Sequence, residues 1–156
     1  MKKVLFSLLL SVTSLLAIAQ NNETTIKNET AIKNVLNNET SAFYARDAKK
    51  MVSYWHITPQ TSMYILLSPS TALVFNADSL HKYKLTGEPT KLDLDQLTLS
   101  RTNWKFCING SSAYVTFDSN LGNAKEKQYT HETRFMEKIN GEWKIVSSNV
   151  VFANNK

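Results

Sequence analysis

The chain has 156 residues, a formal charge of +5 and a single cysteine, Cys107. Its Lys and Arg residues are dispersed, with no basic run or helix-long stripe, which argues against a nucleic-acid partner. One cysteine excludes an intrachain disulfide, so the fold must rest on its core, with Cys107 a small packed residue rather than a nucleophile.

Residues 1–19 have the pattern of a secretory signal peptide. Met1-Lys2-Lys3 is a short basic region, VLFSLLLSVTSLLAIA an apolar core, and Ala17-Ile18-Ala19 an A-x-A cleavage site before Gln20. The apolar run is short for a bilayer span, so cleavage is expected rather than anchoring, and no Cys follows it to carry a lipid. The expected mature protein starts at Gln20, is secreted or periplasmic, and holds no membrane segment. Without Lys2 and Lys3 its charge is +3, and its 137 residues suit one domain with one core.

Residues 20–31, QNNETTIKNETA, form a polar leader that repeats Asn-Glu-Thr, a triplet found again at 38–40. Asn22, Asn28, Asn38 and Asn109 head acceptor motifs for glycosylation in a eukaryotic route, but the short signal peptide has a bacterial character. A domain is expected over 32–153. Ile32, Val35, Leu36, Glu39, Ala42 and Phe43 fall at helical spacing and give a mostly apolar stripe. Asp47 then suits an N-cap, and Ala48, Met51, Val52 and Trp55 the inward stripe of a second helix stopped before Pro59. From residue 62 the period changes. SMYILLS and TALVFNA predict two short strands around Ser68-Pro69-Ser70, ADSLHKYK a helical turn, and GEPTKLDLDQ a loop.

Two hairpins follow, each turning on Asn-Gly, the pair that best tolerates positive φ at both turn positions. Placing the first turn at Asn109-Gly110 sets Phe106 opposite Ala113 and Trp104 opposite Val115 on a core face, with Arg101 opposite Asp118 on the other. Placing the second at Asn140-Gly141 sets Lys138 opposite Trp143, Met136 opposite Ile145, Arg134 opposite Ser147 and Glu132 opposite Asn149. A bulge would shift this register. The other face carries Tyr129, Phe135, Val146, Val150 and Phe152, an apolar patch with no remaining segment to cover it, which predicts a homodimer through the sheet.

Two N-terminal helices, a short connection and a run of antiparallel strands ending in NGEWKIV resemble the nuclear transport factor 2-like superfamily, in the flavour of SnoaL-like secreted bacterial proteins. The stretches that carry the resemblance are AFYARDAKKMVSYW at 42–55, SSAYVTF at 111–117 and HETRFMEKINGEWKIV at 131–146. It implies an α+β, cystatin-like cone, a strongly curved antiparallel sheet wrapped around the helices with an internal pocket. It also implies that Trp143, Ile145, Ser147 and Asn149 point inward. Members of the superfamily include isomerases, dehydratases and cyclases beside many proteins without a known reaction, so the fold does not fix the chemistry. Many carry a His further along the last strand, where this chain has Ser147 and Asn149.

His56, His81 and His131 make no HxH, HxxxH or HExxH pattern, so no metal site and no cofactor is expected. Asp78 is the best isolated candidate for a catalytic base, against a plain role as a turn or helix cap. Glu132 and Arg134 are sharper. Two residues apart on one strand face, they either form a pocket wall in which Arg134 holds a ligand carboxylate, or a structural ion pair. Tyr54, Trp55, Tyr64 and Trp104 are the aromatic candidates for the apolar part of that pocket. The sequence therefore favours an exported, non-catalytic module for a small, partly apolar ligand. A SnoaL-like enzyme moving a proton or water, and a protein-interaction module, are the alternatives.

Overall fold

The computed structural model describes residues 2–86, 98–123 and 127–153, with side chains described over 23–82, 98–123 and 127–153. In chain order the elements are α1 (Lys2–Tyr44), α2 (Ala48–Ser53), β1 (Ser62–Ser68), β2 (Thr71–Phe75), α3 (Ala77–Thr86), β3 (Thr98–Asn109), β4 (Ser112–Gly122), β5 (Lys127–Ile139) and β6 (Glu142–Phe152). The loop expected at GEPTKLDLDQ lies outside the described residues. The chain divides into two compact units, 1–34 and 35–156, and the end of α1, α2, α3 and all six strands belong to the second.

The first helix begins far earlier than the apolar stripe suggests, and the polar leader is helical too. No Pro or Gly stands between Lys2 and Tyr44 to interrupt it, and residues 23–27 are exposed, where Asn, Glu and Thr cost little. In the second unit Leu36, Glu39 and Ala42 are buried on one face, as their spacing predicts. The helix ends at a left-handed Arg46 (φ 58°), and Asp47 caps α2 by accepting from the Lys50 amide at 3.0 Å. α2 is shorter than expected and stops at Ser53. Trp55 instead pairs with Ile145 as a parallel bridge, with His56 N donating to Ile145 O and Ile145 N donating to Tyr54 O, both at 2.9 Å. The start of β6 thus finds an extended partner that a helix could not supply.

The six strands form one curved, unclosed sheet in the order β2-β1-β6-β5-β4-β3. All neighbours are antiparallel except β1 and β6, which run parallel with Met63 beside Ser148 and Ile65 beside Val150. This one parallel pairing is the departure from the antiparallel sheet that the resemblance implies.

The two Asn-Gly hairpins differ. Asn140 (φ 52°) and Gly141 (φ 86°) form the expected turn, and Lys138 faces Trp143 and Met136 faces Ile145. At the turn of the first hairpin Gly110 has positive φ (58°) and Asn109 does not. The turn slides to Gly110-Ser111, so Asn109 pairs with Ser112, and Phe106 meets Val115 rather than Ala113. Glycine at the first turn position suits a type II′ turn, which does not require a second left-handed residue.

Each hairpin also carries a bulge. On β3, Asn103 and Trp104 together oppose Phe117, with Asn103 left-handed at φ 54°. On β6, Val146 is extra, between Met136↔Ile145 and Phe135↔Ser147. Because side chains alternate with period two, one extra residue moves every later side chain to the opposite face. The pairs Arg134–Ser147 and Glu132–Asn149 are therefore corrected to Arg134–Ser148 and Glu132–Val150, and the expected Arg101–Asp118 pair to Arg101–Ser119. The apolar outer patch changes as well. Val150 and Phe152 turn inward and Val146 is buried, so that of the expected patch Tyr129 and Phe135 stay exposed, with Tyr64, Tyr114 and Val151 exposed beside them.

Candidate ligand pocket

The inner face of the sheet, with the end of α1, encloses a cavity of about 390 Å³, within the range of small-molecule sites. The register explains its composition. Arg101, Ser119 and Thr130 stand abreast on β3, β4 and β5; Phe117, Glu132 and Val150 form the next row; Val115, Arg134, Ser148 and Met63 the row after that. A polar diagonal thus crosses the floor from Arg101 to Ser148. Phe43 on α1, Met63 and Ile65 on β1, Leu73 on β2, Leu121 on β4 and Phe152 on β6 supply apolar walls around it.

Glu132 lies at the centre of the diagonal. One of its carboxylate oxygens pairs with Arg134 Nη2, and the other accepts from Thr130 Oγ1 at 2.9 Å. Both partners of the ion pair are buried. Burial alone would push the Glu132 carboxyl up, but Arg134, Arg101 and hydrogen bonds from Thr130 and Ser119 outweigh it and hold the group below its ordinary value. Glu132 is consequently ionised and fully engaged at neutral pH, which makes it a poor proton carrier. Arg134 spends Nη1 on the carbonyls of Thr133 (3.1 Å) and Asn149 (3.3 Å), while its Nε and the Ser148 hydroxyl oxygen are buried with no hydrogen-bond partner among the described residues.

Arg101 is the second cation of the floor. Its Nη1 donates to Asn37 Oδ1 at 2.7 Å, Nη2 to Thr40 Oγ1 at 2.7 Å and Nε to Ser119 Oγ at 3.3 Å. Its guanidinium lies 4.9 Å from the centroid of Phe117, and that of Arg134 lies 5.5 Å from the same ring. Burial, and secondarily Arg134, lower the Arg101 pKa, and Glu132 and Glu39 oppose the fall, so it stays charged. The bulge that turns it inward is braced by Trp104, which stacks on Phe117 with centroids 4.4 Å apart and donates to the Arg101 carbonyl at 3.2 Å. On the helical side the Glu39 carboxylate accepts from Trp55 Nε1 at 2.9 Å.

Of the candidates drawn from the sequence, Trp55, Glu132 and Arg134 line the cavity together. Tyr54, Tyr64, Trp104, Ser147 and Asn149 do not. Tyr64 and Asn149 pair with each other on the outer face, Ser147 meets Ser62 there at 3.4 Å between hydroxyl oxygens, and Trp104 serves the bulge. Asp78 is exposed in the first turn of α3, away from the lining. The capping interaction there belongs to Asn76, whose Oδ1 accepts from the Ser79 amide at 2.9 Å while Ser79 Oγ accepts from the Asn76 amide. Sequence reasoning missed Glu39, Arg101, Ser119, Thr130 and Ser148. Glu39 was visible as the one charged residue on an otherwise apolar helical stripe. Ser119 and Thr130 follow by alternation from Phe117 and Glu132 on two strands paired without a bulge, whereas Arg101 and Ser148 follow only from the two bulges.

Sequence comparison finds no matching family model and no matching curated protein. Solved structures do match. A nuclear transport factor 2-like protein of unknown function from Shewanella baltica superposes with a TM-score of 0.59 at 14% identity, covering 83% of this chain and 97% of its own. A cystatin-like fold protein of unknown function from Nostoc punctiforme gives 0.61 at 10% identity over 81% and 92%. A candidate dehydratase of the nuclear transport factor 2-like family from Streptomyces avermitilis gives 0.59 at 13% identity over 80% and 94%. Such identities speak to architecture and not to reaction. The chain has the cystatin-like fold of the nuclear transport factor 2-like proteins.

Proposed function

We propose that the protein is an exported binding module that holds a small, partly apolar molecule in this cavity without transforming it. The observation that supports the reading is the state of Glu132. A buried carboxylate that accepts from Arg134, Thr130 and Ser119 contributes a fixed charge, whereas acid–base catalysis near neutrality needs a group whose pKa lies near the working pH. The exposed Asp78 offers no substitute, since it is not on the cavity wall. SnoaL-like proton or water chemistry would have to fall to Glu39 or Tyr44, the other ionisable lining groups.

One preparation tests both halves of the proposal. Protein purified from its native host without denaturant is weighed intact, then denatured and extracted for small molecules. The expected result is a chain beginning at Gln20 that releases an organic compound in near-stoichiometric amount. A chain still carrying residues 1–19 removes export with cleavage. A cavity that releases nothing, and that also fails to bind medium-chain probes in titration calorimetry, removes the binding module.

A further inference from the structure

We infer that the ligand carries a carboxylate and that Arg101, not Arg134, receives it; this rests on the binding reading above. Arg134 is already neutralised by direct contact with Glu132, and its Nε is sealed from solvent. Arg101 is less buried than Arg134, and its hydrogen bonds go to neutral oxygens, those of Asn37, Thr40 and Ser119, while Glu132 and Glu39 act on it through space without an ion-pair contact. Among the described residues no carboxylate makes an ion pair with it.

The donor inventory of a guanidinium has five N–H groups, two on each Nη and one on Nε. The bonds to Asn37 and Thr40 use one on each terminal nitrogen, so each retains another. A carboxylate accepts from such a charged donor more strongly than a neutral acceptor does, because both partners are charged. The guanidinium is also held still. Helix α1 grips it from one side, Ser119 from below and the Phe117 ring supports its plane, so little rotamer freedom remains to be lost when an anion arrives.

A cationic head group would meet carboxylates that are already engaged, Glu132 by Arg134 and Thr130 and Glu39 by Trp55. Beyond Arg101 the walls formed by Leu121, Phe152 and Ile65 suit an alkyl or aryl body.

The test compares octanoate, octanol and octylamine by titration calorimetry on the full mature chain, wild type and Arg101→Gln. Octanoate is expected to bind at least about tenfold more tightly than octanol, with octylamine weakest, and Arg101→Gln to erase the advantage of octanoate over octanol. Should octanol match octanoate in the wild type, or octylamine exceed both, the carboxylate assignment falls and the binding module survives. Retention of the full octanoate advantage in Arg101→Gln removes Arg101 alone from the role. If none of the three binds the wild type, the binding reading itself fails, and the carboxylate with it. Because the wild-type ranking stands by itself, a variant that does not fold leaves the inference open to refutation.

Discussion

Strands β4 and β5 carry a hydrogen-bonded carboxylate on each face, and the two make opposite use of similar geometry. Inward, Glu132 meets Arg134 and Thr130 in a buried setting. Outward, Asp118 meets His131 Nδ1 at 2.7 Å and Asn103 Nδ2 at 2.6 Å, with its side chain 40% exposed. Both carboxyls are held below their ordinary values, Glu132 against a burial penalty and Asp118 mainly by the hydrogen bonds from His131 and Asn103. What separates them is solvent. Water offers Asp118 almost the same stabilisation when its partners leave, and offers Glu132 none, so distance alone does not rank the two clusters.

The largest effect is expected at the inner cluster. Glu132→Gln removes the charge that Arg134 was built to meet and leaves a buried guanidinium without its counterion. Breaking such a pair costs on the order of 3–5 kcal/mol. Adding Arg134→Met should recover much of the loss, because the double variant no longer buries a lone charge. Thermal unfolding of the wild type, both single variants and the double variant gives the coupling energy, and near-zero coupling defeats the ion-pair account. The pH dependence has a definite sign. A carboxyl whose folded pKa is depressed contributes stability that is fully present above its unfolded value, here near 4.5, and lost as pH falls through the lower folded value. Acid should therefore narrow the gap between wild type and Glu132→Gln, and a gap that widens on acidification contradicts the assignment.

How much of this was legible in the sequence depends on distance from each turn. Lys138↔Trp143 and Met136↔Ile145 follow from Asn140-Gly141 by counting, and the structure keeps them. Beyond Val146 the same counting places Ser147 and Asn149 in the pocket, while the bulge delivers Ser148 and Val150. The loss is physical. A bulge is selected by what the far strand ends must bury, and Ile145 and Val146 both gain burial opposite Met136, a non-local benefit with no turn-like signature. The same holds for Arg101, read as the outward partner of Asp118 and found on the cavity floor. One hint was present there, since Asn is among the few non-glycine residues that accept a left-handed backbone, and Asn103 sits where the bulge needs one. The parallel β1–β6 pairing left no such trace. The short apolar run SMYILLS specifies a strand and not the direction of its neighbour.

Asn103 links the two faces, which gives a prediction of intermediate size. Its left-handed backbone aims Arg101 inward, and its side chain donates outward to Asp118. Asn103→Val places a β-branched residue at φ 54° and should cost about 1–2 kcal/mol. Asn103→Gly keeps the bulge at little backbone cost and loses only the bond to Asp118. Circular dichroism melts should thus rank wild type and glycine close together with valine clearly below them. If valine is tolerated as well as glycine, the bulge does not depend on the left-handed residue.

The smallest effect is expected outside. Asp118→Asn retains the shape of the side chain and one acceptor while removing the charge that faces His131. Exposed pairs of this kind contribute about 0–1 kcal/mol, and salt screens them over roughly 10 Å at 0.1 M. The loss should therefore be small in dilute buffer and smaller still at high ionic strength, whereas the cost of Glu132→Gln, at a largely buried side chain, should respond far less to salt. Its pH sign matches that of Glu132, with the contribution present above about 3.8 and lost as pH falls through the depressed folded value. Melting both variants across a salt series sets the two faces against each other directly. Equal costs with equal salt dependence would mean that burial does not distinguish these carboxylates. A small, screened loss at Asp118 beside a large, salt-indifferent one at Glu132 places the specificity of this stretch of sheet on its inner face.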